Sequence, residues 1–284
     1  MKIAIIGRTG QLGSDLVKIL SHHHEILDLP RDQIDLRSNT YHKYFQNLDF
    51  DILINTAAIH NINYAEENPS EAFQINSNAP FELAKICKVK NKIFIHFSTD
   101  YVFDGQKKTP YSEQDECNPL SIYGKSKREG EVRIQSLNSK FYVFRVSSLF
   151  GEVPPRGKQY NFVDAIIHQA RDNKELKVVS DQVMCATSTK SIAEMIKDIL
   201  NLEIPYGLYH FANEGELSWL DYAKLALSIA KIDKNIKPLL LNDLQTIPLR
   251  PQYSCLALDK LRNHIKTQPI THTLKEFIHQ KYAI

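Results

Sequence analysis

Tyr123 and Lys127 stand four residues apart in Tyr123-Gly124-Lys125-Ser126-Lys127, where a segment of helical periodicity begins. The spacing puts both side chains on one helix face, one turn apart. A phenol titrates at about pH 10, and a neighbouring ammonium stabilises its anion, so such a pair can give or take a proton near neutrality. Upstream, Ser98 and Thr99 follow an apolar run and fall at the carboxyl edge of a strand, where open α/β sheets bind ligands and a hydroxyl could hold a substrate carbonyl. Alone, a Y-x-x-x-K pattern is common by chance, and Thr99 would be a turn or cap residue.

A glycine turn far upstream gives these residues a partner. Gly7-Arg8-Thr9-Gly10-Gln11-Leu12-Gly13 follows the first strand directly and opens a helix, and it holds three of the ten glycines in the chain. The spacing allows a tight turn, close backbone approach to a pyrophosphate and close helix–strand packing, with the anion at the helix N-terminus. Asp28 ends the next strand, as expected for a residue that reads the ribose 2′-hydroxyl of NAD. Arg8 and Arg31 are placed to pair with the 2′-phosphate of NADP, and they tip the reading towards NADP(H) with NADH as the alternative.

Positioning these residues requires a βαβ series. Short β-branched runs at 2–6, 25–28, 52–55, 92–97 and 142–146 alternate with helical patterns at 11–20, 68–87 and 119–137. Several runs are apolar throughout, as strands covered on both faces are. The expected architecture is a Rossmann-type, doubly wound parallel sheet in a dinucleotide-binding domain over 1–150. After the Pro/Gly-bearing loop at 151–157 the elements shorten, with helices expected at 161–171, 191–200, 219–230 and 271–280. Residues 151–284 read mainly as a smaller mixed α/β lobe on the carboxyl ends of the sheet, with later returns of the chain to it.

Composition sets the boundaries of function. The chain has 284 residues, 43% hydrophobic, with 35 basic and 33 acidic side chains for a net charge of +2. Balanced charge argues against capture of nucleic acid or an acidic membrane surface. Four dispersed cysteines without a C-x-x-C pair read as free thiols of a reducing cytosol. No apolar stretch approaches the roughly 18 residues of a spanning helix, and the apolar N-terminus is too brief for a signal peptide. The reading is a cytoplasmic protein. The run His22-His23-His24 reads as a solvated turn, because three consecutive side chains cannot face one metal ion.

On these residues the sequence resembles the extended short-chain dehydrogenase/reductases, most closely the dTDP-4-dehydrorhamnose reductase family. The likeness runs through Gly10 to Gly13, Asp35-Leu36, Ile54 to Ala58, Ala65 to Pro69, Asn76, Ser98 to Gly105 and Asn118 to Lys127. It continues through Asn161 to Val163, Val178 to Gln182, Arg250-Pro251 and Tyr253-Ser254. The resemblance implies that Tyr123 donates a proton to the C4 oxygen, that Lys127 lowers the tyrosine pKa and holds the cofactor ribose, and that Thr99 positions the carbonyl. It also implies that Asp35 and Leu36 flank the adenine, and that Ala57 and Ala58 line the cofactor. Tyr101, Phe103 and Asp104 would border the hexose, and Asn161 and Arg250 would face the diphosphate or nucleoside.

The partner so implied is a nucleotide sugar, and the assembly a homodimer; scattered carboxylates define no magnesium site. Departures fall on the sugar side. The family's Ala-Ala-Tyr-Thr becomes Ala57-Ala58-Ile59-His60 with Asn63 in place of an Asp, Ser148 stands where many members carry a Trp, and Met184-Cys185-Ala186-Thr187 replaces Gly-Ser-Pro-Thr. These leave open a reductase or epimerase of another nucleotide sugar, or a non-catalytic dinucleotide-binding subunit resembling the regulatory β subunit of methionine adenosyltransferase.

Overall fold

Apolar runs with no polar face can be buried only between two helical layers, and that requirement shapes the main sheet. The computed structural model describes residues 1–30, 33–38, 40–172, 175–244 and 248–283. The chain opens with β1 (Lys2–Ile6), α1 (Gln11–Leu20), β2 (Glu25–Leu27), α2 (Thr40–Asn47) and β3 (Ile52–Asn55). It continues with α3 (Ile62–Glu67), α4 (Pro69–Phe73), a π-helical turn (Gln74–Asn78), α5 (Ala79–Val89), β4 (Ile93–Thr99), a 3-10 turn (Asp100–Val102), α6 (Ile122–Gln135) and β5 (Phe141–Val146). Then follow β6 (Leu149–Phe150), α7 (Phe162–Arg171), β7 (Leu176–Val179), β8 (Val183–Met184), β9 (Thr187–Ser188), α8 (Thr189–Leu202) and β10 (Gly207–Phe211). The chain closes through β11 (Leu217–Ser218), α9 (Trp219–Ile229), β12 (Ile236–Leu239), α10 (Asp259–Arg262) and α11 (Ile270–Tyr282).

Six strands form one parallel sheet in the order β10-β5-β4-β3-β1-β2. Alternate residues serve opposite layers, as the pleat demands. Ile3, Ile5, Ile52 and Ile54 pack with Leu12 and Leu16 of α1 and Ile192 and Ile196 of α8. Ala4, Ile6, Leu53 and Phe94 pack with Tyr41 and Phe45 of α2 and Leu83 of α5. At about 1.5–3 kcal/mol for each large apolar side chain fully buried, these two layers dominate the favourable side of folding. Because β2 lies on one side of β1 and β3 on the other, the order reverses between β1 and β3, and a crevice opens there at the carboxyl ends.

The structure departs from the sequence-based expectations in places that matter for the site. The fourth strand runs on past the expected bound at 97 to Thr99, so Ser98 and Thr99 pair with Arg145 and Val146 at its carboxyl end. The expected helix over 68–87 is divided by the π turn, which releases the Asn76 side chain to bind Ile59 and Ser126. The elements through which the chain comes back to the main sheet after residue 151 are α8, which packs on α1, and β10, which becomes the edge strand beside β5, in line with the later returns named above. A separate core, with Val163, Ile167, Tyr222, Ala226, Leu274 and Ile278, holds α7, α9 and α11 together. Among the described residues no helix is long and apolar enough to cross a membrane.

Candidate active site

The glycine turn lies in the crevice between β1 and β3. Gly7 has φ +81°, a left-handed conformation that side chains resist, and its carbonyl accepts from the Gly10 amide at 2.8 Å. A Cβ on Gly13 would lie 2.1 Å from the Gly7 carbonyl oxygen, so only glycine lets α1 start this close to β1. Thr56, beyond β3, faces the same turn, and a Cβ on Gly7 would meet its Oγ1 at 2.5 Å. The first intrahelical bond of α1 runs from Ser14 to Gly10, so the amides of Gln11, Leu12 and Gly13 precede the hydrogen-bonded ladder and form an anion-binding end. Thr9 is exposed on the turn, the Gln11 side chain reaches the Leu149 carbonyl, and Leu12 anchors the turn in the core. This cradle fits a dinucleotide pyrophosphate.

At the outer end of the crevice, Arg8 Nη2 lies 2.5 Å from Asp28 Oδ1, with the arginine side chain 39% and the aspartate side chain 83% exposed. The two residues expected to compete for the ribose therefore pair with each other. Arg31 lies outside the described residues. Leu36 is buried and its carbonyl accepts from Gln74, while the exposed Asp35 caps its own turn through the Arg37 amide. Ala57 and Ala58 follow β3, half-buried, with the Ala57 amide held by Asn55 Oδ1 at 3.1 Å.

The residues expected to handle the proton converge at the carboxyl end of β4. Ser121 caps α6 by accepting from the Gly124 amide, and Glu66 of α3 accepts from the Ile122 amide at 2.6 Å, which fixes the turn that carries Tyr123. The Tyr123 ring packs edge-on to Tyr101, 5.9 Å between centroids. Burial pushes the phenol upwards, the Thr99 hydroxyl pulls the other way, and Asp100 and Tyr101 add to the rise. Thr99 accepts from the Tyr101 amide and donates to Asp100 Oδ1 at 3.1 Å, while Asp100 Oδ2 takes hydroxyl protons from Ser147 and Ser254. Lys127 is buried; its Nζ donates to the Phe97 carbonyl at 2.5 Å and lies 3.1 Å from His96 Nε2. Burial lowers this amine to about 7 against the opposing pull of Glu131. The expectation that Lys127 depresses the phenol is not met in this arrangement, because the amine is engaged with the strand.

The residues expected around the sugar nucleotide divide into two sets. Tyr101 and Arg250 come together: the positive charge of Arg250 acts on the Tyr101 phenol, which burial raises to about 12, and Arg250 Nε is buried without a partner among the described residues. An unpaired buried donor beside a phenol suits an anionic or polar ligand. Phe103 and Asn161 are placed as supports of the fold, without a free polar group turned towards a ligand. Phe103 is fully buried, stacked 4.1 Å from Tyr111 with the Arg145 guanidinium 5.0 Å from its ring centre. Asn161 caps α7, accepting from the Asp164 amide and donating to the Gly151 carbonyl, so its amide is committed to the fold. Asp104 ties its loop through Tyr111, Gln106 and Asn118.

A family model described as the RmlD substrate binding domain matches residues 1–283. The chain belongs to the dTDP-4-dehydrorhamnose reductase family. The reductase of that name from Aggregatibacter actinomycetemcomitans is 33% identical over 282 residues, covering 94% of each chain. Among solved structures, a dTDP-4-dehydrorhamnose reductase from Clostridium acetobutylicum matches with a TM-score of 0.91 at 34% identity over 99% of each chain. One from Bacillus anthracis, solved in complex with NADP, gives a TM-score of 0.91 at 28% identity, over 98% of this chain and 99% of that one.

Residues of this dTDP-4-dehydrorhamnose reductase family member that sequence reasoning passed over lie inside its strands. Arg145 on β5 forms two hydrogen bonds, 2.9 and 2.8 Å, with Glu131 of α6, fully buried, and its other nitrogen lies 3.2 Å from His210 of β10. His96 on β4 bridges Asn55 and Lys127. Each is a lone ionisable residue in an apolar run, Ile-Phe-Ile-His-Phe or Tyr-Val-Phe-Arg-Val, and that interruption is the signal that could have found it.

Proposed function

We propose that this chain reduces the C4 keto group of a dTDP-4-keto-6-deoxyhexose with NADPH, forming dTDP-L-rhamnose. The observation that carries the reading is the meeting of Thr99 and Tyr123 at the carboxyl end of β4, with Lys127 one turn further along α6. Family membership over nearly the whole chain supports the same reaction.

When bound, the nicotinamide supplies the hydride. The chain's own residues bind and orient. The glycine turn and the start of α1 hold the pyrophosphate, Arg8 turns from Asp28 to the 2′-phosphate, Asp35 and Leu36 flank the adenine, and Ala57, Ala58 and Ser98 line the inner wall. Thr99 holds the substrate carbonyl. Tyr123 gives its proton to the C4 oxygen, and Lys127, moved from the Phe97 carbonyl to the ribose as an ammonium, lowers the cost of the resulting phenolate. Tyr101, Asp104 and Arg250 border the sugar nucleotide. In this reading residues 1–150 with β10 and α8 hold the cofactor, and the remaining lobe closes over the sugar in a cytoplasmic homodimer.

The test is incubation of the pure protein with NADPH and dTDP-6-deoxy-L-lyxo-4-hexulose, followed by loss of absorbance at 340 nm. Cofactor oxidation with formation of dTDP-L-rhamnose is expected. Absence of oxidation with any 4-keto sugar nucleotide and either reduced cofactor overturns the reading.

A further inference from the structure

His96 is buried between β3 and α6, in contact with one strand residue and one residue of the proposed machinery. Its Nδ1 lies 3.3 Å from Asn55 Nδ2, and its Nε2 lies 3.1 Å from Lys127 Nζ. Counting donors fixes where the imidazole proton sits. The Ala57 amide can only donate, and it donates to Asn55 Oδ1, so Asn55 presents its NH2 group to His96, and Nδ1 accepts from it in preference to donating to the nearby Asn55 backbone carbonyl. A neutral imidazole accepting at Nδ1 carries its proton on Nε2, and that N–H points at the Lys127 amine. The amine in turn donates to the Phe97 carbonyl. An ammonium has three donors and no lone pair, so the chain from Ala57 to Phe97 is satisfied at every link only by an uncharged amine.

We propose that His96 is a positioning residue for Lys127: fixed as the Nε2–H tautomer by Asn55, it docks the uncharged amine on the Phe97 carbonyl until cofactor binds. The proton that makes the ammonium comes from solvent as Lys127 leaves His96 for the ribose. The inference rests on the reductase reading, which gives Lys127 that task.

The other charges around Lys127 are balanced elsewhere. Glu131, one turn further along α6, is bonded to Arg145 of β5 and to Arg128. Tyr123, one turn earlier, is a neutral phenol. From the π turn, Asn76 donates to the Ser126 hydroxyl and Ser77 donates to the Glu129 carboxylate of α6. Burial keeps the His96 imidazole itself far below its usual range, which agrees with a permanently neutral ring.

Nitrogen-15 NMR of the cofactor-free full chain with labelled histidine reads the tautomer: at pH 8, where Lys127 is uncharged, His96 is expected with a protonated Nε2 and a bare Nδ1. A proton on Nδ1, or an imidazolium, overturns the proposal. Kinetics add a readout that a space-filling role would not move. The kcat/KM for NADPH reports the free enzyme and is expected to fall above about pH 7, where Lys127 must first be protonated. In His96→Asn, whose shorter amide keeps an acceptor for Asn55 but ends short of the Nε2 position, this limb should rise by about one pH unit or more. A folded, active His96→Asn whose limb stays in place overturns the proposal; if that variant does not fold, the wild-type tautomer decides. Failure of the wild type to oxidise NADPH defeats the reductase reading, and the tautomer still tests the hydrogen-bond chain.

Discussion

The general-acid role proposed for Tyr123 would fall to a phenol that burial holds high, which suits a group that must arrive protonated and give its proton only when a developing alkoxide demands it. Tyr123→Phe should lower kcat by about a hundredfold or more while leaving NADPH affinity, read by fluorescence titration, nearly unchanged. An equal loss in both would make the residue part of the binding site instead. The Arg8–Asp28 pair argues a second case. Both side chains are well exposed, so the pair adds little to stability. In the proposed reading its consequence is for selectivity, because a 2′-phosphate would have to take Arg8 from Asp28. Asp28→Asn should raise the ratio of kcat/KM for NADPH over NADH by about tenfold, the scale of one charge-assisted hydrogen bond. Arg8→Ala should lower it.

At the scale of elements, α6 is positioned by contacts along its whole length. Glu66 receives its first amide, Asn76 binds Ser126, and Gly130 lies against the Asn76 carbonyl, where an added Cβ would sit 2.4 Å away. The π turn and the glycine are therefore complementary: one pushes a carbonyl outwards and the other leaves room for it. Gly130→Ala should force α6 off the π turn, cost about 1–3 kcal/mol in urea unfolding, and reduce kcat by shifting Tyr123 and Lys127 together. Unchanged stability and rate would show that the contact yields without cost.

Over the whole molecule, buried ionisable groups link the fold to pH. Arg145 and Glu131 form a fully buried pair between sheet and helix, and removing one partner strands the other. Glu131→Gln should destabilise by about 3–5 kcal/mol, measured by chemical denaturation. His210 is lowered to about 3 and His96 well below its usual value, both chiefly by burial. The unfolded chain binds protons at these sites at about pH 6.5 and the folded chain does not, so their stabilisation is complete above that pH and declines as pH falls towards the folded values. Glu131, held low by Arg145, acts in the same direction; Asp100, raised by burial, acts against it. With more groups on the first side, the urea midpoint should fall between pH 7 and pH 5. A midpoint that is flat or rises over that range would contradict this account.

Local pattern sufficed for much of this molecule. The bounds of β1, β3 and α1, the glycine turn and the Tyr123–Lys127 spacing are set by periodicity and by backbone needs within a few residues, so they are legible in the sequence itself. The family too was legible, because Ser98 to Gly105 and Asn118 to Lys127 are continuous strings. What only the tertiary structure decided was partnership. The return of β10 to the sheet, the commitment of Phe103 and Asn161 to the fold, the pairing of Arg8 with Asp28, and the docking of Lys127 on β4 all join residues distant in sequence or turn on which partner a side chain finds. A hydrogen bond or a buried charge is fixed by what lies opposite it in space, and no local window contains that neighbour.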